Sequence, residues 1–385
     1  MSDSTGPLDV LPVRESPTRR GSGMRGAGCL ILFVMLLLSL GLNLVLFLMF
    51  IPSFSDGNIQ VEERFHSGSK LASDKIAIVN IDGVLMEGMI GFARRELERA
   101  ATDHGVKAVI LRVNSPGGTI TASDDLHQRI LELRDGSTEK KTTGKPVVVS
   151  MASVAASGGY YISVPAKTLL AEPTTITASI GVYAALPNVT ELGNKVGFSM
   201  EVIKAGEVKD SGSPFHAMTP KERQLWQDMV DHSYLRFLQI VEAGRPQLKG
   251  KLQETITIDK TVPIRDANAA ERKVNYTRYR ADGGIFTADE ALKYGLIDQI
   301  GYLDDAIKAA KQAAAISENY KVISYERPPS LFGNLLGVAS DSPDSHFNLG
   351  RLSEGAIPRL WYMAPQSEFA GLLAAAGRKP EAQNP

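Results

Sequence analysis

An α/β fold with crossover connections, preceded by one apolar membrane-spanning helix, is the fold class this sequence predicts. Three observations carry it. Short β-branched runs alternate with helix-period stretches through the first half of the polar region, threonine caps mark further helices downstream, and the 22 residues from Cys29 to Phe50 contain no charge.

Taken in order, Cys29 to Phe50 is dominated by Leu, Val, Phe and Met. As a helix it is about 33 Å long at 1.5 Å per residue, enough to cross a bilayer. Ile51-Pro52-Ser53-Phe54 offers no convincing cleavage site, so the segment reads as a retained anchor over 29–51. Arg14, Arg19, Arg20 and Arg25 precede it, and Asp56, Glu62 and Glu63 follow. The positive-inside rule keeps tail 1–28 in the cytoplasm and the larger C-terminal part outside it. Cys29 comes before the apolar run, the wrong order for a lipoprotein cleavage site, and reads as a small residue at the membrane edge.

A polar stretch follows, and 52–74 reads as a linker. Lys75–Ile81, Val106–Val113, Pro146–Met151 and Met200–Lys204 are predicted as buried strands, with helices at Phe92–Asp103 and Thr119–Leu133. Thr219-Pro220-Lys221-Glu222 combines an N-cap, a first-turn proline and a capping glutamate, predicting a long helix towards Ala243. Thr287-Ala288-Asp289-Glu290 repeats the device, with Gly295 to close that helix. Segment 245–282 is charged and weakly periodic, an insertion or extended arm within a domain of 75–327. Tail 328–385 is rich in Pro, Ser and Gly and is expected to be loosely ordered. Leu331–Val338 and Phe369–Ala376 are its candidate docking segments.

Composition excludes several classes. Of 385 residues 43% are hydrophobic and 22% charged, as in ordinary folded chains, so wholesale disorder is excluded. A net charge of −1 with no basic stripe excludes a nucleic-acid surface. One cysteine rules out an intrachain disulfide. The six histidines are dispersed, and no cluster has metal-ligand spacing, so neither metal nor cofactor is expected.

The chemistry-bearing residues lie in three segments. In Ala155-Ala156-Ser157-Gly158-Gly159-Tyr160-Tyr161, a serine follows a strand and precedes two glycines that let backbone approach a substrate. In Leu111-Arg112-Val113-Asn114-Ser115-Pro116-Gly117-Gly118, a strand ends in a turn able to aim amide N–H groups outward, as an oxyanion hole requires. A serine needs a base, and neither segment holds a histidine, which directs attention to lysine. Only about one lysine in 2,500 is neutral at pH 7, so an apolar pocket has to lower its pKa at a cost of about 4 kcal/mol. Lys209 sits among Val202, Ile203, Val208 and Pro214, with Asp210 adjacent; Lys204 is the rival.

Asn114-Ser115-Pro116-Gly117-Gly118, Ala156-Ser157-Gly158-Gly159-Tyr160-Tyr161, Thr177-Ala178-Ser179-Ile180-Gly181-Val182 and Lys209-Asp210 with Ser213-Pro214 resemble, in that order, the signal peptide peptidase A (SppA) family. These are membrane-anchored Ser-Lys proteases of the ClpP/crotonase fold, and the likeness spans roughly Lys75 to Ala315. It implies a ClpP/crotonase-like α/β fold of repeated β-β-α units, Ser157 as nucleophile, Lys209 as base and Ser179 as the serine that orients the lysine. Gly118 and Gly158 become the oxyanion amides, with Gly117 as fallback. It further implies signal peptides as substrates, a bilayer anchor in a bacterial cell membrane and a homo-oligomeric ring, since this chain carries one protease unit. In the family a C-terminal segment can lie in the protease's own groove, so the tail becomes a candidate inhibitor. Three rivals remain: a crotonase-type acyl-CoA enzyme, an inactive membrane scaffold, and a Ser-His-Asp hydrolase using His127 or His216.

Overall fold

The computed structural model describes residues 30, 32–44, 61–262, 272–327 and 360–363. Two units separate, Met1–Ile59 and Gln60–Pro385. In the first, residues 32–44 form helix α1 with exposed side chains. Among the described residues no helix is long and apolar enough to cross a membrane, and much of the predicted anchor over 29–51 lies outside them.

The second unit is a mixed α/β fold around a nine-stranded, mostly parallel sheet. In chain order its elements run β1 (Glu62–Gly68), β2 (Asp74–Asp82), α2 (Gly91–Thr102), β3 (Val106–Ser115), β4 (Gly117–Thr119), α3 (Ile120–Asp135), the short pair β5 (Gly136–Ser137) and β6 (Thr142–Thr143), β7 (Val147–Ala156) and α4 (Gly158–Ser163). Next come β8 (Thr168–Ala171), β9 (Ile176–Ala178), β10 (Tyr183–Ala184), α5 (Thr190–Val196), α6 (Pro220–Gly244), β11 (Thr255–Val262) and β12 (Arg272–Tyr279). The series ends with β13 (Ile285–Thr287), α7 (Ala288–Lys293), β14 (Gln299–Ile300), α8 (Leu303–Ala313), β15 (Tyr320–Glu326) and β16 (Leu360–Met363). The sheet order is β1-β15-β2-β3-β7-β8-β14, and β9 branches from β7 to pair with β13. Every neighbour from β15 to β14 is parallel, which is why each step needs a crossover.

Period-two alternation fills both faces of this sheet. Ala77, Val79, Ile81, Val109 and Leu111 pack with Leu97, Leu126, Tyr160 and Phe237 in one cluster. Ile76, Ile78, Ile110 and Val148 pack beneath Ala306, Ile307 and Ala310 of α8 in the other. A sheet buried on both sides reads as continuous apolar runs, which is how its strands were recognisable.

Three predicted strands, both early helices and both threonine-capped helices form. Thr219 and Glu222 close a full capping box on α6, as Thr287 and Glu290 do on α7. The expected strand at Met200–Lys204 does not form: the backbone there is irregular and Ile203 is 98% exposed. Its β-branched residues have no sheet edge beside them, and propensity without a neighbour does not make a strand. The predicted linker contains β1, which pairs antiparallel with β15. The weakly periodic insertion is an antiparallel hairpin of β11 and β12, with Ile256 and Ile258 on its buried face. Leu331–Val338 and Phe369–Ala376 lie outside the described residues; the described part of the tail is β16.

One buried acid makes a stability prediction. Glu96 on α2 is fully buried and neither carboxyl oxygen has a hydrogen-bond partner among the described residues. Burial, with Asp82 nearby, pushes its pKa up to about 9. The folded chain therefore keeps a proton that the unfolded chain loses near pH 4, and this contribution to stability is lost as pH rises through 9. Glu96→Gln should flatten the fall in unfolding free energy between pH 5 and pH 9 by about 2–3 kcal/mol, after discounting the larger figure a shift of this size implies. Denaturant titration at the two pH values checks it, and parallel profiles for parent and variant would reject it.

Candidate active site

Ser157 lies where β7 turns into α4, at φ 55° and ψ −113°, a conformation L-residues rarely adopt. Its N–H donates to the Ala178 carbonyl at 2.6 Å, and its own carbonyl accepts the first helical bond, from Tyr161 N at 2.8 Å. Parallel pairing of β7 with β9 brings Ala156 opposite Ala178. The residue is 1% exposed, and its hydroxyl makes no hydrogen bond among the described residues. A sharp, strained strand-to-helix turn of this kind is the backbone geometry of a nucleophile elbow.

The two tyrosines that follow explain their place in the motif. Tyr160 donates to the Leu296 carbonyl at 2.7 Å and Tyr161 to Asp124 Oδ1 at 2.7 Å, where Arg236 also binds. Both rings are fully buried, so α4 is pinned from two sides. His127 stacks edge-on against Tyr161, and burial lowers its pKa to about 4. It is a packed neutral ring. His216 bonds to the carbonyls of Ala217 and Asp210. Neither histidine bonds to Ser157 among the described residues.

The turn before α3 lies beside this serine. Leu85 N donates to Gly117 O, and Thr119 N donates to Leu85 O, a bridge centred on Gly118. Successive residues of a strand point their polar groups to opposite sides, so the N–H and carbonyl of Gly118 face away from Leu85, towards Tyr362 of β16. A Cβ on Gly118 would lie 1.9 Å from Leu85 O, and one on Gly158 would lie 3.1 Å from Gly118 N. The absence of side chains is what lets these two backbones meet. Gly158 occupies the first position of α4, where an N–H has no acceptor within the helix. The Gly117 amide is already given to Ser115 Oγ at 3.1 Å, which leaves Gly118 as the outward donor of the pair.

Directly beside Ser157, Ala178 and Ser179 take consecutive positive φ values of 64° and 54°. Ser179 N donates to Gly284 O at 3.1 Å, and its hydroxyl donates to Gly283 O at 2.8 Å. Its Oγ lone pairs therefore remain to accept. The short strand β16 runs antiparallel between β10 and β4, with Tyr362 opposite Gly118 and Trp361 opposite both Thr119 and Tyr183.

Lys209 is not bonded to any of these residues among those described. Its side chain is exposed, and among the described residues its amine has no hydrogen bond or ion pair. Lys204, the rival, is committed to Asp210 at 2.5 Å. That contact also compensates the carboxylate next to Lys209. Asp210, His216 and Glu222 come close enough for their oxygens and nitrogen to lie within 4.8 Å of one another, a grouping that their six-residue spacing did not signal. Lys204 already neutralises Asp210, and Glu222 serves the cap of α6, so the cluster reads as a balanced surface network. Around it, Leu192, Val196, Phe198, Met200, Val202 and Ile203 form an exposed apolar stretch.

The fold defines a mixed α/β protein in which the Ser157 turn and the Gly117–Gly118 turn lie together beside a strand, β16, held between β4 and β10. Residues 139–257 and 266–317 match the model of peptidase family S49. A "Putative protease" of Methanocaldococcus jannaschii is 33% identical over 79% of this chain and 88% of its own length. Protease 4 of Haemophilus influenzae is 33% identical over 67% of this chain, which spans 38% of that protein. The chloroplastic serine protease SPPA of Arabidopsis thaliana is 33% identical over 61% of this chain and 30% of its own. The chain belongs to peptidase family S49 and is SppA-like.

Proposed function

We propose that this chain is a membrane-anchored serine endopeptidase of the ClpP/crotonase fold that uses Ser157 and Lys209 to degrade cleaved signal peptides. The observation that carries the reading is the strained Ser157 turn with the outward Gly118 N–H across from it, opening onto a slot that already accepts a strand. In this mechanism neutral Lys209 takes the Ser157 proton and the alkoxide attacks the scissile carbonyl. The amides of Gly118 and Gly158 hold the developing oxyanion, and Gly117 is the weaker candidate because Ser115 occupies its N–H. The lysine ammonium then protonates the leaving amine, and water releases the acyl group. Ser179, left as an acceptor, takes one N–H of the lysine and points the lone pair at Ser157.

A lysine base needs apolar enclosure, and Lys209 is exposed in the single chain. The enclosure, and the approach to Ser157, are supplied in this reading by a second copy packed on the apolar stretch from Leu192 to Ile203, as in a ring of identical subunits. The anchor over 29–51 holds domain 75–327 outside the cytoplasm of a bacterial cell membrane, with residues 1–28 inside. Strand β16 occupies the substrate's place, so tail 328–385 acts as an internal inhibitor.

The test uses the full-length chain in lipid vesicles with a synthetic signal peptide and, separately, a soluble folded protein. Cleavage of the peptide within its apolar core, with the folded protein left intact, is the expected result. Hydrolysis of an acyl-CoA in place of the peptide would move the chain to crotonase chemistry.

A further inference from the structure

Ser179 owes both of its hydrogen bonds as a donor to one turn, Asp282-Gly283-Gly284. That turn connects the β11–β12 hairpin to β13, which pairs with β9 through Ile285 and Ala178. It presses closely on the site: a Cβ on Gly181 would lie 2.7 Å from Gly283 Cα, and Gly283 N donates to Ile180 O at 3.0 Å.

The turn is held by a guanidinium fork. Arg278 Nε donates to Asp282 Oδ2 at 2.9 Å, Nη2 to Asp282 Oδ1 at 2.5 Å, and Nη1 to the Ile285 carbonyl at 2.8 Å. Asp282 Oδ1 in turn accepts Gly284 N at 2.9 Å. The guanidinium lies 4.0 Å from the centre of the buried Phe286 ring, and its side chain is 11% exposed. A Cβ at Gly284 would lie 2.2 Å from Arg278 Nη2, so the fork sits directly on the backbone whose carbonyl receives Ser179. Bidentate, ring-stacked contacts of this kind fix both distance and direction, which a lysine in place of the arginine cannot do.

We infer that Arg278 and Asp282 are positioning residues that set the polarity of the Ser179 hydroxyl. The inference rests on the Ser157–Lys209 reading and adds a reason for the hairpin's attachment. A hydroxyl has one proton to give. With the Gly283 carbonyl in place, that proton is taken and Ser179 accepts from the lysine amine, leaving the amine's lone pair for Ser157. With the turn released, Ser179 is free to donate its proton into that lone pair, and the base is quenched. No bond is made or broken by the fork; it decides which way one hydrogen bond runs.

The test measures kcat and KM for a synthetic signal peptide with the full-length enzyme carrying Arg278→Met, Asp282→Asn, Arg278→Lys, Ser179→Ala and the double variant Arg278→Met with Ser179→Ala. Arg278→Met and Asp282→Asn should each lower kcat about 10-fold to 100-fold with KM within about twofold, a general-base effect. Arg278→Lys should recover only part of the loss. In the Ser179→Ala background Arg278→Met should cost nothing further, because its route to the base has gone. Multiplicative losses in the double variant, an unchanged kcat, or a change in KM alone would overturn the inference. If Arg278→Met does not accumulate as folded protein, the nearly isosteric Asp282→Asn decides, and loss of fold in both assigns the fork to stability alone. Ser157→Ala runs alongside: retained cleavage there overturns the Ser-Lys reading itself, whereas its loss beside an unaffected Arg278→Met overturns only the role of the fork.

Discussion

Replacing Ser157 by alanine is expected to cut kcat for a synthetic signal peptide about 10⁴-fold or more, to the residual rate that binding and backbone amides sustain. Lys209→Ala should fall to nearly the same level, and the double variant no lower, because nucleophile and base act as one unit. The exposure of Lys209 and the absence of any bond to Ser157 sharpen this expectation. If the base comes from a neighbouring copy, mixing Ser157→Ala with Lys209→Ala chains before assembly should restore a measurable fraction of activity, since some junctions then join an intact serine to an intact lysine. Failure of the mixture, with both single variants dead, would confine the dyad to one chain and require the Lys209 segment to close over Ser157. Activity surviving in either single variant would move the chemistry elsewhere. Ile203→Asp gives an independent reading of the same surface. At 98% exposure it costs the single chain little, yet it puts a charge in the middle of the proposed contact, so sedimentation should report smaller assemblies and lower activity together.

The strands that were legible in the sequence are those buried on both faces. Val106–Ser115 and Val147–Ala156 are apolar runs because helices cover each side of the sheet, and the threonine boxes at 219 and 287 state their helix starts in four residues. Met200–Lys204 also carries β-branched residues yet forms no strand, because propensity without a neighbouring sheet edge does not make one. The β11–β12 hairpin was missed for the opposite reason. Its two buried residues, Ile256 and Ile258, share their face with the charged Lys260 and Arg278, so no apolar alternation shows. The strained turn at Ser157 and the close backbone approach at Gly118 were readable because both restrict residue type locally. The fork of Arg278 on Asp282 was not, since an arginine four residues before an aspartate in a charged hairpin is ordinary, and its significance arises only where β13 meets β9.

Deleting residues after Pro328 is expected to lower KM for a signal peptide about 10-fold or more while leaving kcat at saturation unchanged. The reason lies in the backbone of the slot. Gly118 turns its N–H and carbonyl away from Leu85, and β10 contributes a second edge, so a strand between them is paired on both sides. In the intact chain β16 takes that place with Tyr362 opposite Gly118. A net hydrogen bond is worth about 1 kcal/mol, so a four-residue strand pairing two residues with β10 and three with β4 retains a preference of about 1.4–2.7 kcal/mol after the cost of ordering, which is 10-fold to 100-fold in occupancy. A tethered competitor of this kind reduces the fraction of enzyme open to substrate, and that fraction divides the apparent affinity without touching the chemical step. Tyr362→Pro makes the same test without shortening the chain, because proline has no N–H to give and is excluded from a strand bonded on both sides. Adding a free peptide spanning 356–368 to the truncated enzyme should raise KM again, as a competitor in trans. A fall in kcat on truncation would assign the strand to holding β4 and β10 in register; unchanged kinetics in both variants would mean that β16 leaves the slot more readily than its pairing implies.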